Sequence, residues 1–236
     1  MSGEERLVAI HQPNFLPWLG WFDKLARADV FVLLDSVQFP KKAGTWINRT
    51  QLVVGGELAW ATVPVVRSYH GVLAINEMRI EESRPWRRKL LRTFEQSYRK
   101  AKHFDEVMPV VREVVETQTD SIAEYNETGL RRLADLLGLD ANRFVRSSEL
   151  AADASSTDLL VEITTEVGGT AYLAGGGAGG YQEDEMFPAA GLRLVQQGFE
   201  PSAYPQLAPE FRPGASVVDA LMNIGPEATT TLLARA

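Results

Sequence analysis

Two short apolar runs stand out in the first third of the chain, and each stops at a residue capable of chemistry. Leu7 to Ile10 stops at His11, and Val30 to Leu34 stops at Asp35. Between them Trp18, Trp21, Phe22 and Leu25 recur at three- and four-residue intervals, which predicts a helix from about Trp18 to Ala28. Pro13 and Pro17 hold the preceding loop out of the helix. Read as strand–helix–strand, the segment predicts two neighbouring parallel strands. Thr45–Val54 and Glu57–Val66 are rich in β-branched and aromatic residues around Gly55-Gly56, the signature of a hairpin. Ile75–Ile80 is predicted as one more strand.

Residues 83–138 read as helical throughout. Ser83 is placed as the cap of a first helix with Pro85 in its first turn, Phe104–Thr117 forms a second, and Thr119–Leu137 a third ended by Gly138. From Phe144 the α/β rhythm returns, with strands at Phe144–Arg146, Ala171–Ala174 and Leu192–Val195. The cluster Ser155-Ser156-Thr157-Asp158 is predicted to cap a helix running to Val167, and a last helix near Ser216–Asn223 is stopped by Gly225-Pro226. The expectation is a single α/β domain over residues 1–236. Its mostly parallel, Rossmann-like sheet is flanked by helices and carries a β-hairpin and a helical insertion at residues 83–138.

Composition narrows the function classes. The chain is 45% hydrophobic and 23% charged, ordinary for a globular protein, and has no cysteine, which removes disulfides, thiolate metal sites and a cysteine nucleophile. No apolar run approaches membrane-spanning length and nothing resembles a signal peptide, so a cytoplasmic location without a membrane partner is the expectation. Net charge is −7 but unevenly spread: residues 1–102 carry 16 Lys+Arg and 10 Asp+Glu, leaving 8 and 21 of the totals of 24 and 31 for the rest. A sequence pI near 5.1 lacks the basic footprint of a nucleic-acid binder, and no nucleic-acid partner is expected.

If both first strands lie parallel in one sheet, His11 and Asp35 stand at their carboxyl ends, the edge where open α/β sheets bind ligands. His11 is then the candidate base or acid, with Asp35 beside it to orient the ring. Gln12, Asn14, Lys41, Lys42, Trp46, Asn48 and Arg49 flank these strand ends and are predicted to bind substrate. Arg49 offers a bidentate fork for carboxylate or phosphate. Ala174-Gly175-Gly176-Gly177-Ala178-Gly179-Gly180-Tyr181 follows a strand, the context in which free backbone N–H groups hold anions. Gly175, Gly177, Gly180 and Tyr181 are therefore further substrate-binding candidates, against the alternatives of a mobile lid or a flexible loop. The stretch is no P-loop, because no Gly-Lys-Ser/Thr follows. His70 reads as a surface loop residue. Clustered histidines are lacking, so no transition-metal site is expected.

The sequence resembles the WbqC-like family. The likeness rests on His11-Gln12-Pro13-Asn14-Phe15-Leu16-Pro17-Trp18 with Gly20, on Asp35 followed by Val37-Gln38-Phe39, and on Trp46-Ile47-Asn48-Arg49. It continues through Tyr98, Asn126, Ser156-Thr157 to Leu160, Tyr172-Leu173-Ala174-Gly175, Gly180-Tyr181, Tyr204-Pro205-Gln206, and Ser216 with Asp219, Asn223 and Gly225. Two positions depart from the pattern: Ser36 where relatives tend to have a second acidic residue, and a glycine-only turn where they often have a larger one. The resemblance implies a bacterial enzyme of surface-polysaccharide or natural-product biosynthesis with a transferase role, and it assigns no catalytic residues.

Three functions follow from these readings. The first is a transferase moving an acyl or aminoacyl group onto a small amine or sugar, with His11 as base. The second is a nucleotide-using enzyme of adenylate-forming or nucleotidyl-transferring type, although the second histidine of such sites is replaced by Asn14. The third is a non-catalytic binding protein of a biosynthetic assembly. The expected partner is a small molecule: a thioester, a sugar nucleotide or a nucleotide. No cofactor and no oligomeric state is read from the sequence.

Overall fold

A computed structural model of the chain describes residues 5–41, 45–176 and 182–233. Its centre is a five-stranded, wholly parallel sheet in the order β5-β2-β1-β6-β7, built from β1 (Leu7–His11), β2 (Val30–Leu33), β5 (Phe144–Arg146), β6 (Ala171–Ala174) and β7 (Arg193–Gln196). β2 and β6 are buried at every position, as strands covered on both faces must be. Period-two alternation splits their side chains between two cores. Ala9, Phe31, Leu33 and Leu173 point to one face, while Val8, Ile10, Val30, Val32 and Tyr172 point to the other.

The first face is the larger. Against it lie α1 (Leu19–Arg27), α2 (Trp86–Tyr98), α3 (Phe104–Glu116), α4 (Ile122–Leu136) and α7 (Val217–Leu233), whose apolar residues join those of the hairpin in one cluster. The second face is covered by α5 (Ser156–Glu166) and the short α6 (Met186–Ala189). β1 leads to α1 on one face and β6 to α6 on the other, so the sheet reverses its winding between these adjacent strands. In doubly wound sheets that reversal opens a crevice at the carboxyl edge.

The hairpin is β3 (Arg49–Val54) and β4 (Glu57–Thr62), turned by Gly55 and Gly56, whose φ values of 61° and 88° demand residues without a Cβ. Helix α4 is capped by the Ser121 hydroxyl accepting from the Glu124 N–H, and Gly138 closes it at φ 67°.

Several predicted details differ. Ile75–Ile80 forms a short 3₁₀ turn at Ile75–Glu77 with isolated bridges at Arg79 and Ile80 rather than a strand. The Glu77 carboxylate accepts from the Ala74 N–H at 2.7 Å and stabilises the turn, while Ile75, Met78 and Ile80 still go into the core. Ser83 does not cap α2; Pro85 takes that position without a side-chain bond. Ser155 likewise makes no capping bond to α5, and Ser156 has a positive φ of 56°. At Gly225 (φ 82°) the helix stops as expected, but a second helical segment follows the kink and runs to Leu233.

Candidate active site

A cavity of about 400 Å³ opens at the reversal point between β1 and β6. Its wall is assembled from separate elements: His11 at the end of β1, Asn14, Pro17 and Trp18 from the following loop, Gly20, Trp21 and Lys24 from α1, Gly175 and Gly176 after β6, Gln197 after β7, and Trp46 and Gln51 from the hairpin side. Among the described residues no acidic side chain lines it. In a chain of net charge −7 this is a local excess of positive charge.

The loop between β1 and α1 is held in a strained form. Leu16 has a φ of 40°, which for a branched side chain costs on the order of 1–3 kcal/mol. Its carbonyl accepts from two hydroxyls, Thr50 and Ser216, both at 2.8 Å. The Pro17 carbonyl accepts from the Val217 N–H, and the Phe15 N–H donates to the Trp46 carbonyl. From α4, the buried Asn126 amide donates to the Pro13 carbonyl at 2.7 Å and to the Ile47 carbonyl at 2.6 Å. One side chain thus staples the His-Gln-Pro-Asn loop to the Trp-Ile-Asn-Arg turn.

His11 Nδ1 lies 3.0 Å from the Gln12 carbonyl oxygen. A carbonyl can only accept, so Nδ1 carries the proton of the neutral ring and Nε2 keeps its lone pair. Burial, followed by the Lys24 charge, depresses the His11 pKa to about 4. The imidazole is therefore neutral at physiological pH. Lys24 is only 4% exposed and has no carboxylate or hydrogen-bond partner among the described residues, and burial alone lowers its pKa to about 8. Gly175 exists to leave room for it: a Cβ at that position would stand 2.9 Å from Lys24 Cε and 3.0 Å from Nζ. Gln197 fixes the other side by donating to the Gly20 carbonyl and the Asp23 carboxylate. Asn14 is 6% exposed, and its amide makes no hydrogen bond among the described residues.

Of the residues singled out in the sequence, His11, Asn14, Trp46 and Gly175 line this cavity together. Gln12 contributes its backbone carbonyl, which accepts from both His11 Nδ1 and Trp21 Nε1. Asp35 does not orient His11. Its buried carboxylate accepts from the Ser147 and Ser148 hydroxyls and the Ser148 N–H, clasping the end of β2 to the chain just after β5. Asn48 is buried and donates to the Val63 carbonyl, so it shapes the hairpin. Arg49 lies over the Trp60 ring at 3.8 Å, outside the cavity wall. Lys41 sits 5.3 Å from the Tyr69 ring, also outside it. Lys42, Gly177, Gly180 and Tyr181 lie outside the described residues.

Lys24, Gln51 and Gln197 were missed. Lys24 carried a legible signal: a cation three residues after Trp21 in an aromatic helix where neighbours on both sides are buried. Gln51 and Gln197 carried none, because amides are common on strands and loops. Among the described residues no group of three or more His, Cys, Asp or Glu is arranged to hold a metal ion, and no helix is long and apolar enough to cross a membrane.

The chain matches the model of the WbqC-like protein family over residues 12–231. It is 29% identical over 223 residues to the uncharacterized protein Rv1507c of Mycobacterium tuberculosis, a similarity covering 94% of this chain and 95% of that one. No solved structure matches the chain.

Proposed function

Starting from a chain that belongs to the WbqC-like protein family, we propose that it is a biosynthetic transferase moving an acyl or aminoacyl group from an activated donor onto a small amine or sugar. The observation that carries this reading is the pair His11 and Lys24 in one cavity, the first neutral with its Nε2 lone pair available and the second an ammonium with no ion-pair partner among the described residues. A neutral imidazole suits a general base better than it suits a cation steadying phosphate charge, which speaks against nucleotidyl transfer.

In the reaction so read, Nε2 takes the proton of the acceptor amine or hydroxyl as it attacks the donor carbonyl. The new C–N or C–O bond forms, a tetrahedral oxyanion develops, and the bond to the donor's leaving group breaks. The proton then passes from the imidazolium to that leaving group. Lys24 holds negative charge on the donor, and the open N–H groups at the start of α1 add to it. An imidazole of pKa about 4 is a weak base in the empty cavity. An anion placed against Lys24 removes the second cause of that depression and raises the pKa towards the working range.

The test is product formation, followed by mass spectrometry, from the purified chain with acyl or aminoacyl thioesters and a panel of amines and sugars. His11→Gln should keep the fold and lose on the order of 10²–10⁴ in rate. A variant as active as the parent would remove His11 from the chemistry.

A further inference from the structure

Beyond the cavity itself, the rim carries an aromatic shelf that a simple acyl group does not use. Trp46 and Trp60 are 41% and 44% exposed, with ring centroids 4.9 Å apart. Trp60 stands opposite Gln51 across the hairpin, and both Gln51 and Trp46 line the cavity, so shelf and cavity are continuous. Arg49 covers one face of Trp60 at 3.8 Å and has no carboxylate partner among the described residues. Inside the cavity two kinds of unused donor converge. They are the Lys24 ammonium and the N–H of Gly20, for which no acceptor exists among the described residues; beside them the nine-tenths-buried Asn14 carries an unpartnered amide oxygen, an acceptor. Gly175 and Gly176 give the backbone a close approach to the same space.

A neutral sugar would leave these donors unused, and a simple carboxylate would leave the tryptophans uncovered. The two features together require a ligand with a flat ring at one end and strong negative charge at the other. We propose that the cavity takes a nucleoside diphosphate group, with its base stacked on Trp46 and its phosphates against Lys24 and the first turn of α1. The proposal rests on the transferase reading and deepens it: a coenzyme A thioester donor and a sugar-nucleotide acceptor both carry this group. Base stacking on an exposed tryptophan is tolerant of base identity. The charged contacts then supply most of the affinity for the diphosphate.

The experiment uses the full chain and titrates adenosine diphosphate, uridine diphosphate, coenzyme A, a uridine-diphosphate sugar and inorganic pyrophosphate, read by calorimetry and tryptophan quenching. At least one nucleoside diphosphate should bind and quench, with pyrophosphate at least tenfold weaker. Preference for coenzyme A over the uridine ligands identifies the donor as the source, and the reverse preference identifies the acceptor. Trp46→Ala should weaken the nucleoside diphosphate about 5- to 150-fold, the range of base–aromatic stacking, and leave pyrophosphate unchanged. Lys24→Met should weaken both. Trp46→Phe, which keeps a ring, should restore most of the loss and guards against a variant that fails to fold.

Pyrophosphate binding as tightly as the nucleotides, Trp46→Ala without effect on them, or no binding at millimolar concentration would each overturn the proposal. The parent reading fails separately. His11-dependent transfer from a donor and acceptor that both lack a nucleotide keeps the transferase and sinks the diphosphate site. Nucleotide binding without any transfer does the opposite.

Discussion

His11 and Lys24 are coupled through charge, and that coupling sets a pH window for the site. The base works only when neutral, above about pH 4 in the free protein, and the anion anchor works only when charged, below about pH 8. kcat/KM, which reports the free enzyme, should rise through about 4 and fall through about 8. kcat, which reports the loaded enzyme, should have both limbs displaced upward, because an anion beside Lys24 favours the protonated forms of both groups. Limbs at the same pH in the two profiles would break the coupling between the residues. The stability of the fold carries the same signature. His11 binds its proton near 6.5 when unfolded and near 4 when folded, so between these values the unfolded state holds more protons and stability rises with pH. Acidification from 6.5 to 4 should therefore lower the melting temperature. His11→Gln, which has nothing to titrate, should flatten that part of the curve.

At the scale of elements, the strained loop before α1 is the piece most dependent on others. Asn126→Ala should leave the Pro13 and Ile47 carbonyls buried and unpaired, costing about 1–3 kcal/mol in urea unfolding and raising KM as the loop loosens. Asn48→Ala removes one comparable buried bond, to the Val63 carbonyl, and should lower stability without a matching rise in KM. Equal kinetic effects would mean that Asn126 acts only through stability. The same contrast explains what could be read from sequence. β5 and β6 were legible to the residue, because short apolar runs bounded by loops and glycines allow little else. The hairpin followed from Gly55-Gly56, although its paired part is shorter than the apolar pattern. Ile75–Ile80 was misread because a buried 3₁₀ turn and a strand both show apolar residues at close spacing. Placing His11 and Asp35 on adjacent strands was sound geometry, since His11 pairs with Leu33 in register. What the pattern lacked was the partner: Ser147 and Ser148 reach Asp35 from 112 and 113 residues away, and no local signal announces that contact. Lys24 was legible in type but not in role, because only the folded position of Gly175 opens the space into which it points.

For the molecule as a whole, the question is whether residues 83–138 form a separate unit. Their helices bury Trp86, Leu90, Phe94, Val111, Val114 and Leu130 in the cluster that also holds Trp21 and Phe22 of α1, Leu52 of the hairpin and Val218 and Leu221 of α7. Polar ties run the same way. The Tyr98 hydroxyl accepts from the Val53 N–H, the His103 N–H donates to the Met222 carbonyl, and Asn126 staples the active-site loop. Removing the block would open the larger core on both sides of the cut, while the smaller core under α5 and α6 holds none of its residues. Unfolding should then be one cooperative transition. Tryptophan fluorescence, which samples Trp86 in α2 and Trp21 beside the sheet, should give the same urea midpoint as far-ultraviolet circular dichroism. A saturating ligand should move both curves together, by about 2.7 kcal/mol at 100 times its dissociation constant. Two resolved transitions, with only one responding to ligand, would mean that the helical block folds by itself. The loop stapled by Asn126 would then have to keep its shape without the cooperative support inferred from the shared core.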